Sequence, residues 1–285
     1  MSAHTAVLPD RASLSVSGQD AEHFLQNLIT TDLDSLREGE LRAGALLSPQ
    51  GKILFDFLVS REHSGAFRLD TRADMTLDFS RRLLLYRLRA KVEISQLPNG
   101  VAAVSWGDAS VTDALRDTRF PAEWHVVRRY GAEPAPSDLA AWRALRIEAG
   151  VAESGTDFAL GDAFPHDMLL DQNGGVGFRK GCYVGQEVVS RMQHRGTARR
   201  RVMILSGECD LPPTGADITA SGRPIGALGT VAGSAGLAIL RIDRLADALA
   251  QGAPVLAGDV PVTVAIPPGA TFTLPAPGQT ATESA

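Results

Sequence analysis

The sequence has 285 residues, enough for two or three compact units rather than one minimal core. Apolar residues make up 44% and charged residues 21%, as in ordinary globular proteins. The net charge of −5 argues against a dedicated nucleic-acid-binding protein, whose surface would be basic, so we expect no direct nucleic-acid partner.

Targeting and metal-binding patterns are also missing from the sequence. No apolar run reaches the ~20 residues that a membrane span requires, and residues 1–10 lack the basic and apolar segments of a secretory signal. The cysteines, Cys182 and Cys209, lack CxxC spacing, which favours a reducing, cytoplasmic compartment. The histidines show no ligand spacing, so we expect no metal site.

The N-terminal part alternates short strands with single helices. Leu14 and Val16 alternate with serines, which predicts a strand ending at Gly18, and Asp20 is placed to cap the helix that follows. Five further strands are predicted, at 41–47, 53–59, 67–70, 92–94 and 101–104.

One longer helix interrupts these strands. Residues 74–88 place Met75, Phe79, Leu83 and Tyr86 on one stripe, which indicates an amphipathic helix. Strands that alternate with helices in this way indicate α+β units.

A segment rich in Pro and Ala, 131–138, is a candidate domain crossing. Ser137 or Asp138 is placed to cap a helix that turns Trp142 inward and ends at Gly150. A turn at 173–175 and a short strand at 176–178 are then expected.

The most informative segment follows that strand. It runs to Arg191 and begins Lys180-Gly181-Cys182-Tyr183-Val184-Gly185-Gln186-Glu187. Its glycines allow sharp turns, and Lys180 would favour the thiolate of Cys182, as would the start of a helix over 184–192. The alternative interpretation is a buried cysteine in an ordinary glycine-containing turn. From about Arg199 onward, glycines and prolines separate short β-branched runs, which is typical of a small β-barrel or sandwich.

The cysteine segment resembles the signature of the YgfZ family, folate-binding relatives of the glycine-cleavage T-protein (aminomethyltransferase). The other segments that carry the resemblance lie in the expected order: Phe24-Leu25-Gln26, Thr30-Thr31-Asp32, Gln50-Gly51-Lys52, Trp142 to Gly150, Phe164-Pro165-His166-Asp167 and Arg195 to Arg201. The resemblance implies an α+β fold, with three domains in a ring around a central channel that holds folate. We expect a discontinuous folate-binding α+β domain (1–46 plus 136–196), a second α+β domain (47–135), a C-terminal antiparallel β-barrel (197–268) and a flexible tail (269–285).

The resemblance also suggests folate-binding residues. Trp142 would stack on the pterin or benzoyl ring, although an apolar helical face equally predicts a core tryptophan. Arg11 stands where the family has a second tryptophan. Arg199 and Arg201, with their neighbouring arginines, would hold the glutamate tail, unless this run is a solvated face. The remaining candidates are Glu148, Tyr183, Gln186 and Glu187.

The candidate catalytic residues are Cys182, with Lys180 as its activator, and Asp78. The thiolate of Cys182 would be a nucleophile, a transient metal or sulfur contact, or a redox sensor. It cannot hold an iron–sulfur cluster alone. Asp78 falls at about the distance expected for the T-protein aspartate, but Thr71-Arg72 replaces the Asn-Ala pair of that enzyme.

The resemblance therefore implies a tetrahydrofolate-binding accessory protein that supports assembly or repair of iron–sulfur enzymes and, through them, tRNA modification. Its partners would be folate and iron–sulfur assembly or client proteins, in the cytoplasm or, in a eukaryote, the mitochondrial matrix. The alternatives are a folate-dependent aminomethyl or one-carbon transferase and an interaction scaffold without a small ligand.

Overall fold

A computed structural model describes residues 3–97, 102–108, 111–131 and 137–278. The chain forms two compact units, each assembled from separate stretches. The first comprises Met1–Trp142 and Asn173–Gln186, and the second comprises Arg143–Gln172 and Glu187–Ala285. The three-domain boundaries expected above stay a prediction, although the boundary after residue 46 falls inside a strand.

A mixed sheet dominates the first unit. Among the described residues, nine strands pair in the order β1-β7-β9-β8-β3-β4-β5-β2-β6. All neighbours are antiparallel except β3 and β8. The strands are β1 (His4–Leu8), β2 (Arg11–Ser17), β3 (Glu40–Leu47), β4 (Ile53–Arg61), β5 (Phe67–Arg72), β6 (Glu93–Gln96), β7 (Ala102–Trp106), β8 (Leu115–Asp117) and β9 (Val127–Arg129). All six strands expected in this part of the chain are confirmed, with Val101 outside the described residues.

Two helices complete the core of this unit, α1 (Ala21–Gln26) and α2 (Thr76–Arg87). The predicted stripe of α2 is confirmed, because Phe79 and Leu83 are buried and Met75 and Tyr86 pack against the core. The Phe79 ring stacks on Phe55 and Phe57, with centroids 4.9 and 5.2 Å apart.

The predicted capping role of Asp20 is wrong. Asp20 is the N-cap residue of α1, but its side chain makes no capping bond. Its carboxylate instead accepts a 2.7 Å hydrogen bond from the backbone N–H of Lys91, in the segment after α2. A partner distant in sequence has replaced the local one.

Helix α3 (Leu139–Ala149) follows the expected signals. The Asp138 carboxylate accepts a 2.9 Å hydrogen bond from the N–H of Ala141, which confirms the cap. Gly150 ends the helix at a φ of +69°, a conformation that glycine adopts without steric cost. Of the break expected at 131–138, residues 132–136 lie outside the described residues.

Helix α4 (Gln186–Arg195) belongs to the second unit except for its first residue, Gln186. The rest of this unit includes a closed antiparallel barrel with the strand order β10-β13-β12-β11-β14-β15. The elements are β10 (Arg200–Gly207), β11 (Asp217–Ala220), β12 (Arg223–Ala232), β13 (Ala235–Arg241), α5 (Ile242–Ala250), β14 (Val255–Ala257) and β15 (Val260–Ala265). The predicted C-terminal barrel is confirmed.

Two further expectations fail. Residues 176–178 form no strand, because the N–H of Gly177 makes a single bond to Thr30 O instead of joining a ladder. The tail from 269 is not frayed throughout, since Phe272 and Leu274 pack against the barrel core. The expected tail also includes 279–285, which lie outside the described residues. In the part of the chain that is described, no helix has the length and apolarity to span a bilayer.

Candidate functional site

The cysteine loop (residues 177–186) belongs to the first unit and presents Cys182 to solvent. The interpretation of Cys182 as a buried thiol in an ordinary turn is therefore wrong. An exposed sulfur is available to a ligand or a partner without any rearrangement of the core. Cys209 is exposed as well, at the end of β10 in the second unit.

Lys180 fastens this loop to the segment before β3. Its ammonium group donates hydrogen bonds to the carbonyl oxygens of Ile29 (2.8 Å) and Thr31 (2.7 Å), and it lies 5.3 Å from the centre of the Tyr183 ring. Burial lowers the pKa of Lys180 to about 8, against the opposing charges of Asp32 and Asp34. The group therefore positions the loop, and its activation of the Cys182 thiol stays a prediction.

Residues that carried the family resemblance form the other half of this attachment. The Thr30 hydroxyl donates to Gly175 O (2.7 Å), and the Thr31 hydroxyl donates to Ala43 O (2.8 Å). Gln26 donates to the Asp32 carboxylate at 2.8 Å. The segment that receives Lys180 is thus held in place by its own side chains.

Gly185 ends the loop where the backbone comes close to the β3–β4 turn. Its φ is +79°, and a Cβ at this position would lie 2.5 Å from the carbonyl oxygen of Ser48. Only glycine fits. Gly181 is different, because no atom lies within 4 Å of the position that its Cβ would take.

The helix after the loop begins later than expected, at Gln186 rather than Val184. Cys182 therefore lies four residues before the first helical residue, and the helix N-terminus is not adjacent to it in sequence. Val184 packs against the core of the first unit instead, and Tyr183 is buried. Burial raises the pKa of Tyr183, so its side chain is neutral.

Asp78 has a surface position in the first turn of α2. Its side chain is 64% exposed and lies 3.5 Å from the guanidinium group of Arg81, one turn along the helix. A helix-surface ion pair of this kind contributes little to stability. No described contact brings Asp78 to the cysteine loop.

Trp142 is a core side chain of the first unit. It is 3% exposed, with its rings centred 5.9 Å from those of Trp106 and 5.4 Å from Phe120. This packing accounts for the indole without a ligand, and stacking on folate stays a prediction.

Arg11 is also committed to the protein interior. Its guanidinium donates to the Asp70 carboxylate (2.7 Å) and to Asp70 O (2.8 Å). Arg128 and Tyr130 donate to the same carboxylate, each at 2.7 Å. Burial alone would raise the pKa of Asp70, but the two arginines and Tyr130 outweigh it and hold that pKa low. Arg11 is thus a structural residue, a role that sequence reasoning missed.

In the second unit, Arg201 is buried and joins β10 to the segment before α4. It donates to His166 O (2.8 Å) and to the Asp171 carboxylate (2.6 Å), and its guanidinium lies 5.0 Å from the centre of the Phe272 ring. Its Nε has no hydrogen-bond partner among the described residues. A buried donor left in this state is costly unless a ligand or water completes it.

A cavity of about 880 Å³ lies beside Arg201, which is one of its lining residues. Arg195, Arg199 and Arg201 contribute positive charge to its lining. Asp171 and Asp243 contribute negative charge, which leaves an excess of one positive charge. Burial lowers the pKa of His166, so its ring is neutral near pH 7. The size is that of a small-molecule site, and its cationic lining suits a carboxylate or phosphate.

The other candidate residues have plainer positions. Glu148 is exposed on α3, and Gln186 is half-buried at the start of α4. Glu187 is exposed and pairs with Arg191, one turn along the same helix face, at 3.6 Å.

Two buried carboxylates of the second unit hold loops in place, and of these only Asp167 was noted in the sequence. Asp157 accepts hydrogen bonds from Arg146 (3.0 Å) and from the N–H of Thr230 in β12 (2.7 Å). Asp167 accepts from Arg200 at 2.8 Å, and its carbonyl accepts from Val202 N. Both tie loops to the barrel. Within the described ranges, no three His, Cys, Asp or Glu side chains are grouped as metal ligands.

Comparison with known proteins agrees with this architecture. The crystal structure of glycine cleavage system aminomethyltransferase T from Bartonella henselae superposes with a TM-score of 0.72, covering 92% of this chain and 84% of that one at 17% identity. Residues 199–272 match the family model described as CAF17, C-terminal beta-barrel domain. The fold is therefore that of the aminomethyltransferase T class with a C-terminal barrel, as expected from the sequence.

Sequence relatives then define the family. The iron-sulfur cluster assembly factor IBA57 homolog, mitochondrial, of Pyricularia oryzae is 30% identical over 292 aligned positions, which cover 88% of this chain and 75% of that protein. The human iron-sulfur cluster assembly factor IBA57, mitochondrial, is 30% identical over 296 positions, which cover 89% and 83%. This chain belongs to the IBA57 family. These relatives carry that name rather than YgfZ, so the resemblance is confirmed at the level of the shared aminomethyltransferase-like fold.

Proposed function

We propose that the protein is a folate-binding accessory factor that supports the assembly or repair of iron–sulfur enzymes, with Cys182 as its working thiol. The observation that carries the proposal is the exposure of Cys182 on a loop that Lys180 and Gly185 hold in place. The names of its IBA57 relatives supply the process. We further propose YgfZ-like support of tRNA modification, which would follow from the activity of iron–sulfur client enzymes.

The cluster is the cargo of this function. A single thiolate cannot hold one, because clusters are bound by several thiolates. Cys182 would therefore act together with ligands from a second protein, an assembly factor or a client. An exposed sulfur suits such a shared contact, which would be made and broken during transfer.

Tetrahydrofolate is the proposed small ligand, and the residues present fit it in part. The cavity lined by Arg195, Arg199 and Arg201 fits the carboxylates of a folate tail. Arg11 does not fit, because it is bonded to Asp70, and Trp142 is packed as a core residue. Arg199 and Arg201 would bind and orient the anionic end, and the bound folate would supply one-carbon chemistry or protection of the site.

No described contact favours the transferase alternative, since Asp78 is exposed on α2 and paired with Arg81. We propose that the protein works in the cytoplasm, or in the mitochondrial matrix if its source is a eukaryote. The names of its relatives describe those proteins as mitochondrial.

The test is complementation of a strain that lacks its own homologue. The full chain should restore the activity of iron–sulfur enzymes, with an enzyme that holds no cluster as the control. Unrestored activity despite normal protein levels would contradict the proposal. Calorimetric titration with tetrahydrofolate tests the ligand separately, and absence of heat at millimolar folate would remove it from the account.

A further inference from the structure

Helix α2 carries a second apolar stripe that faces solvent. Leu77, Leu84 and Leu88 recur at spacings of seven and four residues, which places them on one side of the helix. They are 59%, 42% and 86% exposed, and the neighbouring Leu85 is 70% exposed. The core residues Phe79 and Leu83 occupy the opposite side. Most surface helices have one apolar side, so this outer stripe needs its own explanation.

Leu88, at the C-terminal end of the stripe, has an unusual backbone conformation. Leu88 caps α2 with φ +44° and ψ −107°, a conformation that residues with a side chain rarely adopt. A leucine in this position is both strained and exposed, whereas a glycine would adopt the same backbone conformation without strain. Outliers of this kind concentrate at functional surfaces.

Basic side chains surround the stripe. Residues 76–91 have a net charge of +4, in a chain of net charge −5. The segment contains one acidic residue, Asp78, and five basic residues: Arg81, Arg82, Arg87, Arg89 and Lys91. All five basic side chains belong to exposed residues. The surface therefore attracts an anionic partner and repels a cationic one.

A largely apolar pocket of about 440 Å³ adjoins the end of the helix, and Asp20, His23 and Asn27 form the polar part of its lining. Tyr86 and Ala90 form one side of it, and Phe24, Leu28 and Val184 contribute the rest of its apolar lining. The pocket is large enough for a bulky side chain. Val184 also joins it to the cysteine loop, two residues after Cys182.

We propose that the outer face of α2 and this pocket form a docking surface for an acidic helical segment of a protein partner, which lays its apolar side on the leucines and places one bulky side chain in the pocket. A second copy of this chain is disfavoured, because two segments of charge +4 would face each other. An anionic membrane is disfavoured because the flat surface of a bilayer would leave the concave pocket unfilled. The docking surface itself does not depend on the proposed function. The identification of the partner as an iron–sulfur protein does depend on it.

The test uses a fluorescent synthetic helix of about 20 residues, long enough to fold, with Leu and one Phe on one face and Glu on the other. Wild-type protein should bind it, and the same peptide with Lys in place of Glu should bind at least about tenfold more weakly. The double variant Leu84→Glu/Leu88→Glu should lose at least about tenfold in affinity. Leu249→Glu, which alters an exposed leucine of α5 in the second unit, should bind as wild type.

A charge variant provides a second route, because it leaves the apolar surface intact. Arg81→Gln/Arg82→Gln/Arg87→Gln should weaken binding and flatten its salt dependence. The proposal would be overturned if the acidic peptide did not bind, or if the α2 variants and the Leu249 variant bound it equally. It would also be overturned if the α2 changes affected only self-association, or only binding to vesicles rich in phosphatidylserine. Because no cluster or folate is involved, these results are separate from any failure of the proposed function.

Discussion

The Lys180 ammonium group donates a 2.7 Å hydrogen bond to the carbonyl oxygen of Thr31, which lies 149 positions earlier in the chain. A second bond, to the carbonyl oxygen of Ile29, completes the attachment. The loop that presents Cys182 is thus fixed by the Lys180 cation, two residues before the cysteine, while the sulfur itself is exposed to solvent. Position and exposure of the thiol are set by different residues.

Loss of this attachment should loosen the loop. Lys180→Met removes two charge-assisted bonds and leaves two carbonyl groups to find water, which should cost about 1–3 kcal/mol of unfolding free energy. Urea unfolding gives the total, and hydrogen exchange of residues 177–186 shows whether the effect is local. Lys91→Met, which loses only an exposed bond to Gln19, is the matched control. Equal unfolding midpoints for both variants would show that Lys180 does not anchor the loop.

Lys180 should also titrate far below an ordinary lysine, with a pKa of about 8 instead of 10.5. NMR of lysine isotope-labelled at the ε carbon can follow Lys52, Lys91 and Lys180 together, and Lys180→Met assigns the signal. Between these two pH values the unfolded chain binds the proton more tightly than the folded protein does. The Lys180 contribution should therefore make stability rise as pH increases from about 8 to 10.5, and a signal titrating near 10.5 would refute the burial argument.

Asp70→Asn should be among the most damaging single substitutions in the first unit. It leaves Arg11 and Arg128 buried without their shared carboxylate, which typically costs about 3–5 kcal/mol. Because the folded pKa of Asp70 is lowered, its stabilisation is present above the unfolded pKa of 3.8 and is lost as pH falls through the folded value. Asp74→Asn, which breaks an exposed pair with Arg72, should change the free energy little. Comparable losses from both would contradict the assigned role of the cluster.

The cavity in the second unit should discriminate anions by its arginines. Arg199→Gln should weaken binding of tetrahydrofolate about tenfold, the effect expected for loss of one charge-assisted contact. Arg223→Gln, at an exposed position in β12, controls for net charge. Calorimetry at two salt concentrations measures both, and identical affinities would exclude Arg199 from the site.

Local signals predicted much of the fold. Six of the nine strands described in the first unit follow from short-range patterns, as do the stripe of α2, the cap at Asp138 and the stop at Gly150. Strands β1, β8 and β9 were not predicted. Asp20 shows where such reasoning fails, because its capping bond lost to the backbone of Lys91. The absent strand at 176–178 has the same cause, because the N–H of Gly177 bonds to the carbonyl oxygen of Thr30, a partner that no local pattern predicts.

The candidate site was predictable in its loop and less so in its ligand residues. Glycine and lysine around Cys182 predicted a functional turn, and the exposed sulfur agrees with it. Arg11 could not be assigned from sequence, because its partner Asp70 lies 59 positions away and resembles any strand carboxylate. Arg201 was singled out only as part of a basic run, and its burial beside Asp171 depends on the folded second unit.

The central claim is that the protein needs the thiol of Cys182 to support iron–sulfur enzymes. Its most direct test is the activity of an iron–sulfur enzyme in the complemented deletion strain, with Cys182→Ser compared with Cys209→Ser at equal protein levels. Both cysteines are exposed, so the two substitutions are matched in chemistry and cost little stability. The account predicts near-complete loss of activity for Cys182→Ser and wild-type activity for Cys209→Ser. Full activity with Cys182→Ser would contradict it.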